Sequence, residues 1–299
     1  MNHKLTPSTA ALLTIPPLLW AGNAIVGRLV RDAVPPMTLN LLRWAIALAI
    51  LLPLGRMALR EGSGLLANWR RFSMLGLLGI GLYNSLQYLA LQTSTPINVT
   101  LVASGMPVWM LLVGSLFFGV KARRRQLAGA ALSIVGVLIV LSRGEWNQLL
   151  ALRLVAGDLY MILATIAWAF YSWLLMQPKD PPQLRANWAA FLLGQVIYGV
   201  MWSGAFAGVE YAAGAAPIVW SWPLVACLLY VAIGPAIIAL QCWDAGVQRA
   251  GPSIAAFFVN LTPLFTAVLS AAMLGETPHL FHVAAFALIV GGIVVSARR

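Results

Sequence analysis

Long apolar runs alternate with short polar joints from one end of the chain to the other. A helix rises about 1.5 Å per residue, so about 20 apolar residues cross a hydrocarbon core. Ten runs meet that length: roughly Ser8–Val30, Val34–Gly55, Phe72–Gln92, Pro96–Gly119, Arg124–Leu141, Ala156–Met176, Asn187–Gly208, Pro223–Gly246, Pro252–Leu274 and Pro278–Val295. Helix breakers mark the joints at Pro35-Pro36, Pro96, Pro181-Pro182, Gly251-Pro252 and Pro278.

The pattern also repeats. Pro252–Arg299 falls on Pro96–Arg143 without a gap: Pro96 meets Pro252, Pro107 meets Pro263, Gly119 meets Gly275, Gly136 meets Gly292 and Arg143 meets Arg299. Trp20-Ala21 in the first run echoes Trp168-Ala169 in the sixth. A five-helix unit is odd in number, so two consecutive copies lie in opposite orientations. The expected fold is an all-α membrane protein of ten transmembrane helices in two inverted five-helix repeats, 1–143 and 156–299, joined by a polar linker at 144–155. Small residues at i, i+4 in the fifth and tenth runs (Gly129 with Ser133, Ala287 with Gly291) suit close helix packing within a monomer, with a dimer face as the alternative.

Composition agrees with lipid as the solvent. The 299 residues are 61% hydrophobic and 9% charged, against about 25% charged in a soluble domain. The net charge of +11 raises nucleic acid as a partner, but the basic residues sit in short joints, as the positive-inside rule places them. With the N-terminus cytoplasmic, fourteen of the 19 Lys and Arg fall on the cytoplasmic side and four on the other. Both termini are therefore expected inside and the linker outside. The first run is too long for a signal-peptide core and is read as the first span. Cys227 and Cys242 lie fifteen residues apart on one expected helix, about 22 Å, too far to bridge.

Several segments resemble the EamA family of the drug/metabolite transporter superfamily. They are Leu19-Trp20-Ala21-Gly22-Asn23, Leu42-Arg43-Trp44, Gly157-Asp158 with Ala167-Trp168-Ala169-Phe170-Tyr171, Thr262-Pro263-Leu264-Phe265 and Leu274-Gly275-Glu276. The first half departs from the second in having Gly119-Val120 where the second has Gly275-Glu276. The resemblance implies a central cavity lined mainly by spans 1, 3, 4, 6, 8 and 9. It also implies export across a bacterial inner membrane without ATP.

Transport sites of inverted repeats lie near the bilayer midplane. Mid-run polar and aromatic groups make Trp20, Asn23, Tyr83, Gln87, Trp168, Tyr171 and Asn260 the candidate substrate-binding residues. Trp20 and Asn23 share a helical face, as do Tyr83 with Gln87 and Trp168 with Tyr171; Asn84 with Tyr88 covers the face beside the Tyr83 pair. Amides bind both ends of a zwitterion and rings stack on its side chain, so amino acids, aromatic and other apolar ones, are the expected substrates. Cationic drugs are the rival class, since ring faces attract ammonium groups. Pro107 and Pro263 each lack a backbone donor mid-run and are candidate gating hinges.

Charged groups inside the runs are few. Arg43 is functional by default at that depth, though pairing with neighbouring carbonyls is the more ordinary reading. Asp244, near the end of its run, is read as an interfacial pair with Arg249, with a proton site as the alternative, and Glu276 and Asp158 are read as membrane-edge residues. His279 and His282 lack the Glu of a zinc helix motif, so neither metal nor any other cofactor is expected. No Walker A loop, no G-x-S-x-G and no paired mid-span acids occur, which argues against an ATP-driven pump and an intramembrane enzyme. A channel is the remaining class, disfavoured because one chain carries its own pseudo-symmetry.

Overall fold

The computed structural model describes residues 5–94, 96–142, 145, 147, 150, 155–274 and 280–298. Among them the regular elements are all helical. In chain order they are α1 (Pro7–Leu29), α2 (Pro36–Leu54), α3 (Trp69–Thr93), α4 (Pro96–Ser104), α5 (Met106–Phe117), α6 (Arg124–Leu141), α7 (Ala156–Leu175), α8 (Pro182–Ala186), α9 (Trp188–Ala212), α10 (Trp222–Ala250), α11 (Pro252–Val259), α12 (Thr262–Leu274) and α13 (Leu280–Ala297). Seven of them, α1, α2, α3, α6, α7, α9 and α10, are long and apolar enough to cross a membrane. The shortfall against ten expected runs is three: the tenth run gives the shorter apolar helix α13, and the other two have a local cause. The fourth run is divided at Gly105 into α4 and α5, and the ninth at Asn260-Leu261 into α11 and α12. The linker expected at 144–155, Gly275, Glu276 and His279 lie largely or wholly outside the described residues.

Pro107 and Pro263 occupy the second position of α5 and α12. A proline in the first turn forfeits no intrahelical bond, so each one starts a helix after a break. The expected mid-helix kink is replaced by a joint just upstream.

Two long helices carry π-helical turns, Leu77–Leu82 in α3 and Ala232–Ile238 in α10. Widened turns release carbonyls for other donors. The Ile80 carbonyl accepts from Asn40 Nδ2 at 3.1 Å, and the Pro235 carbonyl accepts from Trp20 Nε1 at 3.3 Å. Glycine matters inside the first of these turns: a methyl on Gly79 would lie 2.7 Å from the Tyr171 ring. The start of α2 has no side-chain cap of its own. Glu210 of α9 supplies it, accepting from the Met37 and Thr38 backbone N–H groups at 2.9 and 2.8 Å.

Helices α6 and α13 pack along their length because small residues let their backbones touch. A methyl on Gly129 would lie 2.6 Å from the Gly292 carbonyl oxygen, and one on Gly292 would lie 2.6 Å from that of Gly129. The Gly129 and Ser133 face is thus consumed inside the chain. The Ala287 and Gly291 face points outward, with nothing within 4 Å of a methyl at Gly291.

Candidate functional site

A cavity of about 950 Å³ runs into the bundle from one end. Its mouth is bordered by the α1–α2 turn at Arg31 and Asp32, by Gln92–Ser94 at the end of α3 and by Leu141 at the end of α6. Six of the seven sequence-derived candidates line it: Trp20, Asn23, Tyr83, Gln87, Trp168 and Asn260. Pro263 borders it as well, whereas Pro107 and Tyr171 do not. The lining also includes α2 through Leu39, Arg43 and Trp44, a helix outside the six expected to dominate it.

The floor is aromatic. Trp168 stands at its centre, with ring centroids of Trp20 at 5.4 Å, Tyr83 at 4.8 Å, Tyr171 at 5.1 Å and Trp243 at 5.4 Å. Trp20 meets Trp168 edge to face at 87°, an arrangement worth about 0.5–1.5 kcal/mol beyond burial. Trp243 is held by donation from its Nε1 to Ser172 Oγ at 3.1 Å. The Trp168 indole N–H is buried with no protein acceptor, so a donor is left over in the floor itself.

Two polar walls face each other across the helices. On one, Arg43 is 1% exposed and its Nη1 donates to Asn84 Oδ1 at 3.1 Å, Tyr88 Oη at 3.1 Å and Asn23 Oδ1 at 3.3 Å. The Tyr83–Gln87 and Asn84–Tyr88 faces of α3 therefore both border the cavity, the first open to it and the second gripping Arg43. On the other wall Asn260 Nδ2 donates to Ser133 Oγ at 2.8 Å. Its Oδ1 and the neighbouring Thr262 Oγ1 are buried without partners. Asn260 sits at the α11–α12 break, where the chain turns its side chain inward.

The far end is sealed beneath the floor. Tyr171 Oη stands 2.7 Å from Asp244 Oδ1 and 2.9 Å from Gln195 Oε1, and Gln195 Nε2 donates to Asp244 Oδ2 at 3.1 Å. The pairing of Asp244 with Arg249 expected from sequence is not formed; its carboxyl turns inward, 2% exposed, to α7 and α9 instead. Three contacts need three protons. Tyr171 supplies one, and the Gln195 amide nitrogen faces only one of its two contacts whichever way the amide is turned. The ring is complete when Asp244 supplies the third and one bond short when Asp244 is ionised. Further out, Arg71 Nε donates to Asp180 Oδ1 at 2.6 Å, Arg71 Nη2 to the Leu174 carbonyl at 2.8 Å, and Arg185 pairs with Asp180 at 3.4 Å. Asp158 accepts from the Val155 N–H at 2.9 Å, closing the start of α7, and pairs with Ser94 at the mouth end.

Sequence reasoning read Arg43 as functional by default from its depth, with pairing to carbonyls as the more ordinary reading, and favoured a pair with Arg249 for Asp244 near the end of its run; what it lacked was the three-helix company each one keeps. Among the described residues no group of three or more His, Cys, Asp or Glu side chains gathers in a way that could hold a metal ion.

Known proteins give the same reading at the level of family. Over 288 residues the chain is 26% identical to the "Aromatic amino acid exporter YddG" of Ancylobacter novellus, covering 94% of this chain and 95% of that one. It is 29% identical over 306 residues to an "Uncharacterized transporter" of Archaeoglobus fulgidus, covering 100% and 99%. It is 23% identical to the "Probable amino-acid metabolite efflux pump" of Salmonella typhimurium, covering 96% and 93%. A solved crystal structure superposes with a TM-score of 0.74 over 97% of this chain and 96% of its own, at 22% identity, a likeness of fold alone. The EamA-like transporter family model matches residues 8–142 and 155–298. With nearly every helix inside those two matches and lipid-length apolar segments throughout, the chain belongs to the EamA-like transporter family.

Proposed function

We propose that this protein is a secondary transporter that exports amino acids, aromatic and other apolar ones foremost, by alternating access across a bacterial inner membrane. The observation that carries this reading is the cavity: one chamber open at one end, sealed at the other, with amides on its walls and a tryptophan-centred floor. Rings beneath and amides beside a bound molecule suit an apolar side chain on a zwitterion.

The same reading counts ten spans, taking α4 with α5 and α11 with α12 as one span each and α13 as the tenth. Helix limits support the repeat of 1–143 and 156–299: α6 (Arg124–Leu141) and α13 (Leu280–Ala297) begin and end at equivalent residues, and both broken spans break at corresponding places. The excess of basic residues on one side supports an orientation with both termini in the cytoplasm. The mouth at Arg31 and Ser94 then faces outward, and the sealed end faces the cytoplasm.

Competition in proteoliposomes tests the substrate. Phenylalanine and tryptophan should displace labelled phenylalanine, and a lipophilic cation should not. Trp168→Ala should cut the aromatic preference by about 2- to 10-fold, the equivalent of one aromatic pair. Strong competition by the cation with none by the amino acids refutes the substrate; unchanged aromatic selectivity in Trp168→Ala refutes the floor as the selecting surface.

A further inference from the structure

We propose that Arg43 anchors a carboxylate of the transported molecule; this rests on reading the cavity as a transport site. A guanidinium at this depth is costly unless paired. Arg43 is 1% exposed, and what surrounds it is neutral: two amide oxygens and one hydroxyl, all on Nη1. Its neighbour Trp44 adds a ring 5.3 Å from Cζ. The described ion pairs lie elsewhere, at Arg31–Asp32, Arg71–Asp180 and Arg185–Asp180.

The geometry leaves a specific vacancy in the bonding. Nη1 has two protons and three oxygens around it, while Nε is buried with no acceptor and no hydrogen bond of Nη2 is found among the described residues. The Nε–Nη2 edge is the fork that a carboxylate meets with two parallel hydrogen bonds. Asn23, Asn84 and Tyr88, from two neighbouring helices, hold the other side of the group and fix its plane. The two charges at the mouth, Arg31 and Asp32, pair with each other at 3.4 Å and cancel. Arg43 is therefore the unbalanced formal charge among the described lining residues, and it is positive. A molecule bringing a carboxylate completes the site; one bringing only an ammonium is repelled by it.

Binding of three matched ligands to the purified protein tests this: phenylalanine, phenethylamine (carboxylate removed) and 3-phenylpropionate (ammonium removed). Wild type should bind both carboxylates at least 10-fold more tightly than phenethylamine. In Arg43→Gln the carboxylates should weaken by about 10- to 100-fold, as expected for a charge-assisted pair, with phenethylamine unchanged or tighter. Arg43→Lys should keep part of the preference. A merely structural arginine would shift all three ligands alike, and that result in a folded Arg43→Gln protein overturns the proposal. If Arg43→Gln does not fold, the wild-type series decides: phenethylamine binding as well as phenylalanine, or no carboxylate binding at all, overturns it. If 3-phenylpropionate binds and phenylalanine does not, the carboxylate anchor stands and the amino acid reading falls.

Discussion

Replacing Asp244 by asparagine and by alanine should have opposite consequences for the sealed end. Asparagine brings its own N–H in place of the carboxyl O–H, so the three contacts with Tyr171 and Gln195 are satisfied without a titrating proton. Alanine keeps the Tyr171–Gln195 bond of 2.9 Å but removes the acceptor 3.1 Å from Gln195 Nε2. A buried donor without a partner costs about 1–3 kcal/mol, which shifts the ratio of sealed to opened forms by about 5- to 150-fold. In wild type a different contact fails: when Asp244 loses its proton, Tyr171 Oη and Gln195 Oε1 face each other at 2.9 Å with no proton between them, so raising the pH loosens this end and lowering it tightens it. Spin labels at Ala186 and Gln248, both exposed near the sealed end, report the separation of α8 from α10 once Cys227 and Cys242 are replaced. The asparagine variant should hold the short distance at every pH, the alanine variant should be broad at every pH, and wild type should move from the first pattern to the second as pH rises. Identical distributions for the asparagine and alanine variants, or a wild type insensitive to pH, would refute the proton count on which this rests. Tyr171, Arg185, Asp180 and Arg71 are the other titratable or charged groups at this end, and none of them is altered in either variant.

Three further outcomes are expected. Gly79→Ala places a methyl 2.7 Å from the Tyr171 ring and should cost about 1–3 kcal/mol as overpacking, seen as a lower Tm and weakened substrate binding; an unchanged Tm would show that the ring has room to move. Replacing Pro107 and Pro263 together by alanine should leave Tm nearly unchanged, because both lie in first turns, yet reduce transport by letting α4–α5 and α11–α12 run on as continuous helices; wild-type turnover would remove the joints from the mechanism. A cysteine at Asp32, whose side chain is 89% exposed at the mouth, should react with a membrane-impermeant thiol reagent in intact cells, and reaction only with a permeant reagent would reverse the assigned orientation.

The helical class, the apolar runs, the joints between them and the 156-residue repeat of Pro96–Arg143 in Pro252–Arg299 were all legible in the chain. These are local properties: a run either is or is not long enough for lipid, and a proline at a joint starts the next helix, as Pro36, Pro182 and Pro252 do. The same depth argument found six residues that line the cavity. It could not tell that Tyr171 falls behind Trp168, because two residues on one helical face differ in which neighbour they meet. Nor could it assign Arg43 or Asp244. Each owes its character to three helices converging: Arg43 to Asn23 of α1 and to Asn84 and Tyr88 of α3, Asp244 to Tyr171 of α7 and Gln195 of α9. Spacing along one helix predicts which side chains share a face, but the partners of a buried charge come from segments 20 to 73 residues away. Their meeting depends on how the helices cross, which no single run encodes; the helices that carry Asn84, Tyr88 and Asp244, α3 and α10, are the two that contain π turns.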